Sequence, residues 1–318
     1  MTARYFTVDV GPLRHALLAY ATWGQLNATG DNAVLLPSYF TGTHENYVAL
    51  IGPGMALDPD RYFIIAPNLF GNGISTSPSH GVAWSPLSIE DNVHAQHELL
   101  RHLGVRRVAL AAGWSIGAMQ ALHWAMMYPA EIGSVVAVCG SAFCWPINAA
   151  FLEGITPILK AVAPIDERLA LGLFGRAYCS WAYSAEFFRT NLYRMLGFAN
   201  LEALFNQWEG DHQQHRSADL LAVLHSWTGT AREPTLARSG LSRISARCFV
   251  MPCYSDSYFT VQDAVFEAGA IPNAVLRPIT SPYGHCAGAP GRFDVESAQI
   301  ETTFAEALSV ATTATGRT

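Results

Sequence analysis

The sequence predicts an α/β protein in which helices flank a mostly parallel sheet and a helical cap is inserted into the sheet domain. Short apolar runs typical of buried strands alternate with helical patterns roughly every 30–40 residues, as expected of parallel strands joined by helices. From about residue 146 to residue 240, long helical stretches rich in Leu, Phe, Trp and Tyr replace this alternation. We therefore expect a core domain formed by residues 1–145 and 241–318, and a cap domain formed by residues 146–240.

Each predicted element has a local signal. The apolar runs predict strands over residues 5–10, 16–23, 32–36, 61–67, 105–112, 134–139, 246–251 and 274–277. The helical patterns predict helices over residues 88–102, 116–128, 147–162, 166–176, 184–197, 200–208, 217–227 and 293–311. Ser88 as the N-cap and Gly104 beyond the last turn delimit the first of these helices. Residues 312–318 are expected to be a disordered tail.

Composition restricts the class of partner. Half of the 318 residues are hydrophobic, 14% are charged and the net charge is −6, so a large core is expected without a nucleic-acid or membrane partner. The stretch Val108–Ala130 lacks charged residues and is long enough to span a bilayer, but polar residues and glycines interrupt it. A strand, a turn and a helix account for it better. The first five residues contain no apolar signal core, so we expect a cytoplasmic protein.

The cysteines and histidines do not form metal-binding motifs. Six scattered cysteines without a C-x-x-C pair are expected to be reduced and buried. The spacing from His97-Glu98 to His102 is one residue too long for the H-E-x-x-H zinc motif, and His212 and His215 lack a third ligand nearby in the sequence. We expect no metal and no organic cofactor.

The most informative motif is Gly113-Trp114-Ser115-Ile116-Gly117, which fits G-x-S-x-G between a predicted strand and a predicted helix. In that context the motif is a nucleophile elbow, a sharp and strained turn that exposes the serine. The glycines of the motif have no side chain, so the strand and the helix can pass closely. The positive end of the helix dipole then faces any negative charge that forms at the serine. Ser115 is therefore the predicted nucleophile.

A serine hydroxyl needs a base, and the base needs an orienting acid, which follow in the order Ser, acid, His in this type of fold. Asp256 is the carboxylate in the loop after the strand at 246–251, and His285 follows the strand at 274–277. His285 is also the one histidine beyond the cap. Asp263 is the nearest rival acid, but it falls on the next predicted helix. We predict Asp256 and His285 as the partners of Ser115.

Backbone N–H groups and nearby side chains complete the predicted site. The N–H of Ile116, next to the nucleophile, and that of Phe40, in the loop after the strand at 32–36, would form the oxyanion hole. His44 either lines the pocket or makes a structural hydrogen bond. Six aromatic residues of the cap are expected to be mostly core, with some roofing an apolar pocket: Trp181, Tyr183, Phe187, Phe188, Tyr193 and Trp208. The side chains expected to line the substrate pocket are Tyr39, His44, Trp114, Phe143, Trp145 and Tyr254.

Several stretches together give the chain a resemblance to the homoserine O-acetyltransferase group of the α/β-hydrolase superfamily, essentially from end to end. The matching stretches are Tyr20–Asn27, Phe40–Gly42, Gly52–Gly54, Asp60–Ile65, Gly113–Leu122, Ser255–Asp256 and Tyr283–His285. The resemblance implies an α/β-hydrolase fold, Ser115, Asp256 and His285 as a catalytic triad, and the Phe40 N–H in an oxyanion hole. It also implies a helical cap of a kind that often forms homodimers.

Departures from this family pattern point away from acetyl transfer. Members that transfer acetyl groups read G-G-S-M-G-G at the elbow and carry an arginine that grips the amino-acid carboxylate, near where Phe143 stands here. A phenyl ring cannot hold a carboxylate. Those members also continue from the catalytic histidine as H-D-A-F, whereas this chain reads His285-Cys286-Ala287-Gly288. No basic cluster that could bind the phosphates of coenzyme A is present in the sequence. The expected activity is therefore hydrolysis of a small, short-acyl ester through an acyl-enzyme intermediate.

Two other functions remain open from the sequence. One is an O-acyltransferase that moves an acetyl group from acetyl-CoA to a hydroxylated acceptor such as homoserine. An arginine such as Arg176 or Arg189 pointing into the pocket would favour it. The other is a non-catalytic ligand-binding protein on a hydrolase scaffold, which lack of turnover on any ester would favour.

Overall fold

The computed structural model describes residues 2–315, with side chains up to residue 309. Within this range eight strands form one sheet, in the spatial order β1-β2-β4-β3-β5-β6-β7-β8. The strands are β1 (Arg4–Val10), β2 (Leu13–Trp23), β3 (Ala33–Leu35), β4 (Phe63–Pro67), β5 (Val108–Trp114), β6 (Ile132–Val138), β7 (Arg247–Met251) and β8 (Ala274–Leu276). β2 pairs antiparallel with β1 and β4, and the other neighbours are parallel. The predicted α/β class with a mostly parallel sheet is confirmed.

Helices flank the sheet and fill the segment between β6 and β7. The α-helices of the described residues are α1 (Ile89–His102), α2 (Ile116–Met127), α3 (Pro146–Val162), α4 (Glu167–Ala182), α5 (Ala185–Arg189), α6 (Leu201–His212), α7 (Ser217–Thr228), α8 (Pro234–Leu241), α9 (Val261–Ala270) and α10 (Asp294–Thr315). Helices α3 to α8 occupy the region predicted as the cap, and the division into core and cap domains stays a prediction.

Several boundaries differ from those predicted. The helix expected over residues 184–197 ends at Arg189, because Asn191 adopts a left-handed φ of 56° before a short 3-10 turn. The short helix α8 was not predicted, although Pro234 stands at its first position, where proline is favoured. The last helix continues to Thr315, past its predicted end at residue 311, and the disorder expected of residues 312–315 stays a prediction. Residues 316–318 of that predicted tail lie outside the described residues.

Two apolar clusters, one on each face of the sheet, form the core. Successive β5 residues contribute to opposite clusters, Ala111 to one and its neighbours Leu110 and Ala112 to the other. Every residue of α2 from Ile116 to Met126 is buried, which explains the absence of charge from this stretch. The uncharged segment is thus a strand, a turn and a helix, and no helix within residues 2–315 is long and apolar enough to cross a membrane.

The parallel direction of β5, β6, β7 and β8 brings the loops that follow these strands to one edge of the sheet. Ser115 directly follows β5, Asp256 lies in the loop after β7, and His285 lies in the loop after β8. The topology therefore collects the predicted site residues at the carboxyl edge.

Candidate active site

Ser115 occupies a tight turn between β5 and α2. Its backbone has a φ of 59° and a ψ of −126°, an unusual conformation for a residue with a side chain. A Cβ atom on Gly113 would lie 2.4 Å from the carbonyl carbon of Gly117, and one on Gly117 would lie 2.6 Å from the carbonyl oxygen of Pro37. Only glycine fits at both positions, so the two glycines of the motif allow the strand and the helix to approach this closely.

The backbone of Ser115 is held from both sides. Its N–H donates a hydrogen bond to the Val138 carbonyl at 3.0 Å, and its carbonyl accepts from the Met119 N–H at 3.1 Å. Its residue surface is only 3% exposed. The hydroxyl is therefore carried on a fixed backbone in a sheltered position, as pre-organised chemistry requires.

Asp256 and His285 form a buried pair. The Oδ2 atom of Asp256 lies 2.7 Å from Nδ1 of His285, and the side chains are essentially excluded from solvent. The other carboxylate oxygen, Oδ1, accepts the N–H groups of Tyr258 at 3.1 Å and Phe259 at 3.0 Å. Because these donors fix the carboxylate, it holds the imidazole with Nδ1 as the donor and leaves Nε2 for another partner.

Aromatic rings surround the His285 imidazole. The ring centroids of Tyr258, Trp114 and Phe259 lie 4.5, 4.9 and 5.3 Å from its own. The indole Nε1 of Trp114 also donates to the His285 carbonyl at 3.1 Å. Within residues 2–315, the buried Nε2 of His285 has no hydrogen-bond partner. The ring is thus fixed in orientation while its second nitrogen remains available.

Ser115 and His285 line the same cavity, which has a volume of about 60 Å³. The complete lining consists of Tyr39, Phe40, Thr41, Trp114, Ser115, Tyr178, Ala182, Trp208, His212, His285 and Cys286. Tyr39 and Trp114 belong to the predicted pocket, and Trp208 was among the cap aromatic residues considered for its roof. Tyr178 and His212 were not anticipated, because their place depends on how α4 and α6 fold over the sheet.

Four residues expected in the pocket lie outside this lining. Phe143 is buried against the rings of His123 and Trp145, and the Trp145 indole donates to Glu267 at 2.8 Å. The carboxylate of Glu267 also accepts the Ala142 N–H, so this part of the loop after β6 is bound to α9, and neither Phe143 nor Trp145 lines the cavity.

The other two residues, His44 and Tyr254, lie outside the lining for different reasons. His44 bonds to the Asn68 side chain through both its N–H and Nδ1, which corresponds to the structural alternative considered for it. Tyr254 is 61% exposed at the surface. The expectation that His44, Phe143, Trp145 and Tyr254 line the pocket does not agree with these positions.

The two predicted oxyanion-hole donors lie on rigid turns. Phe40 belongs to a turn closed by the Gly42 N–H donating to the Tyr39 carbonyl at 2.9 Å, with Thr41 at a φ of 61°. In the described part of the chain, the Phe40 N–H has no backbone acceptor. Ile116 is the first residue of α2, and helix geometry leaves its N–H without an acceptor in the helix. Both groups are free to bind an oxygen, and their role stays a prediction.

The side chains that line the cavity are uncharged apart from His285, whose partner Asp256 lies behind it. Burial lowers the pKa of His212 to about 4, so this histidine is uncharged at neutral pH. No arginine or lysine is part of the lining. Arg176 instead binds Glu202 and Glu209, and Arg189 binds Glu186. These two arginines are therefore paired outside the cavity, and Arg292, whose charge acts on Tyr39 and Cys286 of the lining, donates to the Tyr183 hydroxyl at 2.6 Å.

The sulfur and histidine groups do not assemble a metal site. All six cysteines are buried and unpaired. Between residues 2 and 315 there is no group of three or more His, Cys, Asp or Glu side chains arranged to hold a metal ion.

Known proteins are similar to this chain in sequence and in architecture. A family model described as the alpha/beta hydrolase fold matches residues 32–157. The chain is 33% identical to the ethyl acetate hydrolase of Pseudomonas veronii over 95% of each chain. It is 30% identical to a homoserine O-acetyltransferase of Nostoc punctiforme over 84% of this chain and 85% of the relative. The crystal structure of an acetylester hydrolase from Corynebacterium glutamicum superposes with a TM-score of 0.91, at 27% identity, over 97% of this chain and 96% of the other.

Proposed function

Because this chain belongs to the α/β-hydrolase family, in the group that contains ester hydrolases and homoserine O-acetyltransferases, we propose that it is a serine hydrolase of small, short-acyl esters. The observation that carries the proposal is the buried Asp256–His285 hydrogen bond of 2.7 Å beside the small cavity that Ser115 and His285 share. These groups are the nucleophile, base and orienting acid that acyl transfer needs.

In the first half of the reaction, the Ser115 Oγ attacks the ester carbonyl carbon while Nε2 of His285 takes the hydroxyl proton. Asp256 stays ionised and stabilises the imidazolium through its bond to Nδ1. The negative charge that forms on the carbonyl oxygen is bound by the N–H groups of Phe40 and Ile116. The tetrahedral intermediate then breaks its bond to the alcohol oxygen, which leaves with the proton from His285.

In the second half, water replaces the alcohol. His285 removes a proton from this water as its oxygen attacks the acyl carbon on Ser115. The second tetrahedral intermediate collapses, the Ser115 oxygen recovers its proton from His285, and the free acid departs. The overall reaction consumes one ester and one water and releases one acid and one alcohol.

The cavity supports a short acyl group. A volume of about 60 Å³ corresponds to roughly four to six water-sized groups, which suits an acetyl or propionyl chain. Its aromatic walls, which include Phe40, Trp114 and Tyr178, favour an apolar acyl group. The relative from Pseudomonas veronii is named for ethyl acetate, an ester of this size.

Acetyl transfer to a hydroxylated acceptor is the alternative, and the homoserine O-acetyltransferase relative supports it. The two reactions share the acyl-enzyme and differ in what removes the acyl group. The lack of a cation in the cavity lining favours water over an acceptor that bears a carboxylate.

The fate of the acyl group tests this choice. Purified protein and its Ser115→Ala variant are incubated with ethyl acetate, and separately with acetyl-CoA with and without homoserine. Free acetate and O-acetylhomoserine are quantified by mass spectrometry. We expect Ser115-dependent acetate from the ester and no acetylated homoserine. Formation of O-acetylhomoserine faster than hydrolysis would establish the transferase instead.

Partners and location stay predictions. These are the cytoplasmic location, the absence of nucleic-acid and membrane partners, and a homodimer formed through the cap.

A further inference from the structure

A second, larger cleft adjoins the small cavity. It has a volume of about 570 Å³ and lies between the cap and two loops of the core. The end of α6, with Asp211, and the segment joining it to α7, with Gln214 and His215, form one wall. Residues 41–46 and 72–79 contribute to the other. Apart from Gly73 and Ile74, every lining residue has a polar side chain, with an amide, hydroxyl, carboxylate, imidazole or guanidinium group.

The cleft and the cavity meet beside the predicted oxyanion hole. Thr41 lines both of them, and it directly follows Phe40. On the cap side, His212 lines the cavity while the adjacent Asp211 lines the cleft. A carbonyl bound next to Ser115 and Phe40 would therefore lie in the small aromatic cavity, and the large polar cleft adjoins this cavity at Thr41.

We infer that the cleft binds the alcohol part of the ester, and that this part is an uncharged alcohol with several hydroxyl groups, such as glycerol or a sugar. The inference rests on the proposed esterase function. The aromatic cavity suits the short alkyl part of the acyl group. A long acyl chain in the polar cleft would leave the polar groups of the cleft without hydrogen-bond partners. The opposite placement would put hydroxyl groups against aromatic walls.

The cleft offers hydrogen-bonding groups that the protein itself does not use. Within residues 2–315, neither the half-buried imidazole of His215 nor the exposed amide of Gln214 makes a hydrogen bond. Burial lowers the pKa of His215, so at neutral pH its ring presents one donor and one acceptor. Hydroxyl groups, which both donate and accept, are the natural partners of such groups.

The charges of the cleft disfavour an anionic ligand. Asp219 is buried and accepts from the Ser79 N–H at 2.9 Å and the Ser79 hydroxyl at 2.6 Å. Asp211 adds a second carboxylate to the lining. The one arginine there, Arg216, pairs with Glu167 at 3.1 Å. A phosphate or carboxylate would meet these carboxylates without a free cation, whereas a neutral polyol would not be repelled.

A pair of acetate esters of equal size tests the inference. Glycerol 1-acetate and 2-methylbutyl acetate have the same heavy-atom skeleton and differ in two hydroxyl groups. We expect kcat/KM for glycerol 1-acetate to exceed that for 2-methylbutyl acetate by about fivefold or more, since each hydrogen bond gained contributes a factor of this order. 4-Nitrophenyl acetate is measured in parallel as a general ester substrate.

Variants locate the preference in the cleft. In His215→Leu, the preference for the glycerol ester should fall by about fivefold, mainly through KM for that ester. His225→Leu on the exposed side of α7 is the matched control and should retain the native preference. Gln214→Met, at an exposed position, provides a second test that does not depend on the tolerance of His215 to substitution.

The outcomes separate the two proposals. Turnover of 4-nitrophenyl acetate together with an equal or higher kcat/KM for 2-methylbutyl acetate would overturn the polyol site and leave the esterase function standing. A glycerol preference that is the same in His215→Leu, Gln214→Met and His225→Leu would also overturn it. Absence of Ser115-dependent turnover on all three esters would refute the esterase function, and with it the inference.

Discussion

The carboxyl edge of the sheet and the cap contribute to the same cavity in different ways. The edge supplies Ser115, which directly follows β5, and His285, which lies in the loop after β8. The cap supplies Tyr178, Trp208 and His212 from α4 and α6, which are separated from the edge by many residues of chain. This difference shows that the reactive side chains lie on short segments that follow strands, whereas the shape of the cavity depends on how distant helices pack over the sheet.

The largest effect is expected at the edge, in Asp256→Asn. The retained Oδ1 can still accept the N–H groups of Tyr258 and Phe259, but the new amide nitrogen cannot accept from Nδ1 of His285. With the imidazole in the wrong tautomer, kcat for 4-nitrophenyl acetate should fall by about 10⁴-fold. Asp263→Asn is the control, because Asp263 lies in the first turn of α9, where its carboxylate accepts from the hydroxyl of the N-cap Thr260, and the substitution should leave the rate within about twofold. An equal loss in Asp263→Asn would transfer the role of acid to that residue.

The same contrast explains how much could be read from the sequence. The strand, turn and helix around Ser115 follow from glycine spacing and an apolar run, and the helix α1 follows from Ser88 and Gly104. The chain order of a serine, an acid and a histidine then singles out Asp256 and His285.

The misplaced pocket residues show where such reasoning stops. Phe143 and Trp145 follow β6 at the correct edge, yet their loop is hydrogen-bonded to buried Glu267 on α9 and neither residue lines the cavity. That carboxylate is more than 120 residues distant in sequence, and no local pattern connects it to the loop. Tyr178 and His212 also depend on helix packing that periodicity does not specify.

Glu267 provides the next prediction, because it links the sheet edge to the start of the cap. Burial raises its pKa to about 7 from an ordinary value of 4.5, although the Ala142 N–H and the Trp145 indole favour the charged form. The folded state therefore binds more protons than the unfolded state between these two pH values, and this group makes the free energy of unfolding fall as pH rises through them.

In Glu267→Gln, this contribution to the pH dependence disappears. Relative to the variant, the native protein should lose up to about 3 kcal/mol of stability between pH 4.5 and pH 8. Urea unfolding at several pH values measures it, and Glu153→Gln on the exposed face of α3 should retain the native pH dependence. If the unfolding free energies of the native protein and Glu267→Gln change with pH in parallel, the pKa of Glu267 is not raised by folding.

A pair of glycine substitutions compares the packing of the two regions. In Gly117→Ala, the new Cβ meets the Pro37 carbonyl oxygen at 2.6 Å and the Tyr47 hydroxyl at 2.8 Å, so unfolding free energy should fall by about 2 kcal/mol. In the cap, a Cβ on Gly154 meets nothing within 4 Å, and Gly154→Ala should stabilise α3 by about 0.5–1 kcal/mol. Chemical denaturation measures both. If Gly154→Ala lowered the unfolding free energy as much as Gly117→Ala, the two regions would not differ in their tolerance of an added methyl group.

Trp208→Ala tests whether the cap sets acyl length. Trp208 is half-buried on α6 and lines the cavity, so its removal should make room for a longer acyl chain. The ratio of kcat/KM for 4-nitrophenyl butyrate to that for the acetate should rise by about tenfold, since a few methylenes in an apolar pocket change transition-state binding by this order. Trp181→Ala is the matched control, because that half-buried ring packs on Phe151 and lies outside the lining. If both variants shift the ratio equally, general loosening of the cap rather than the wall formed by Trp208 determines acyl length.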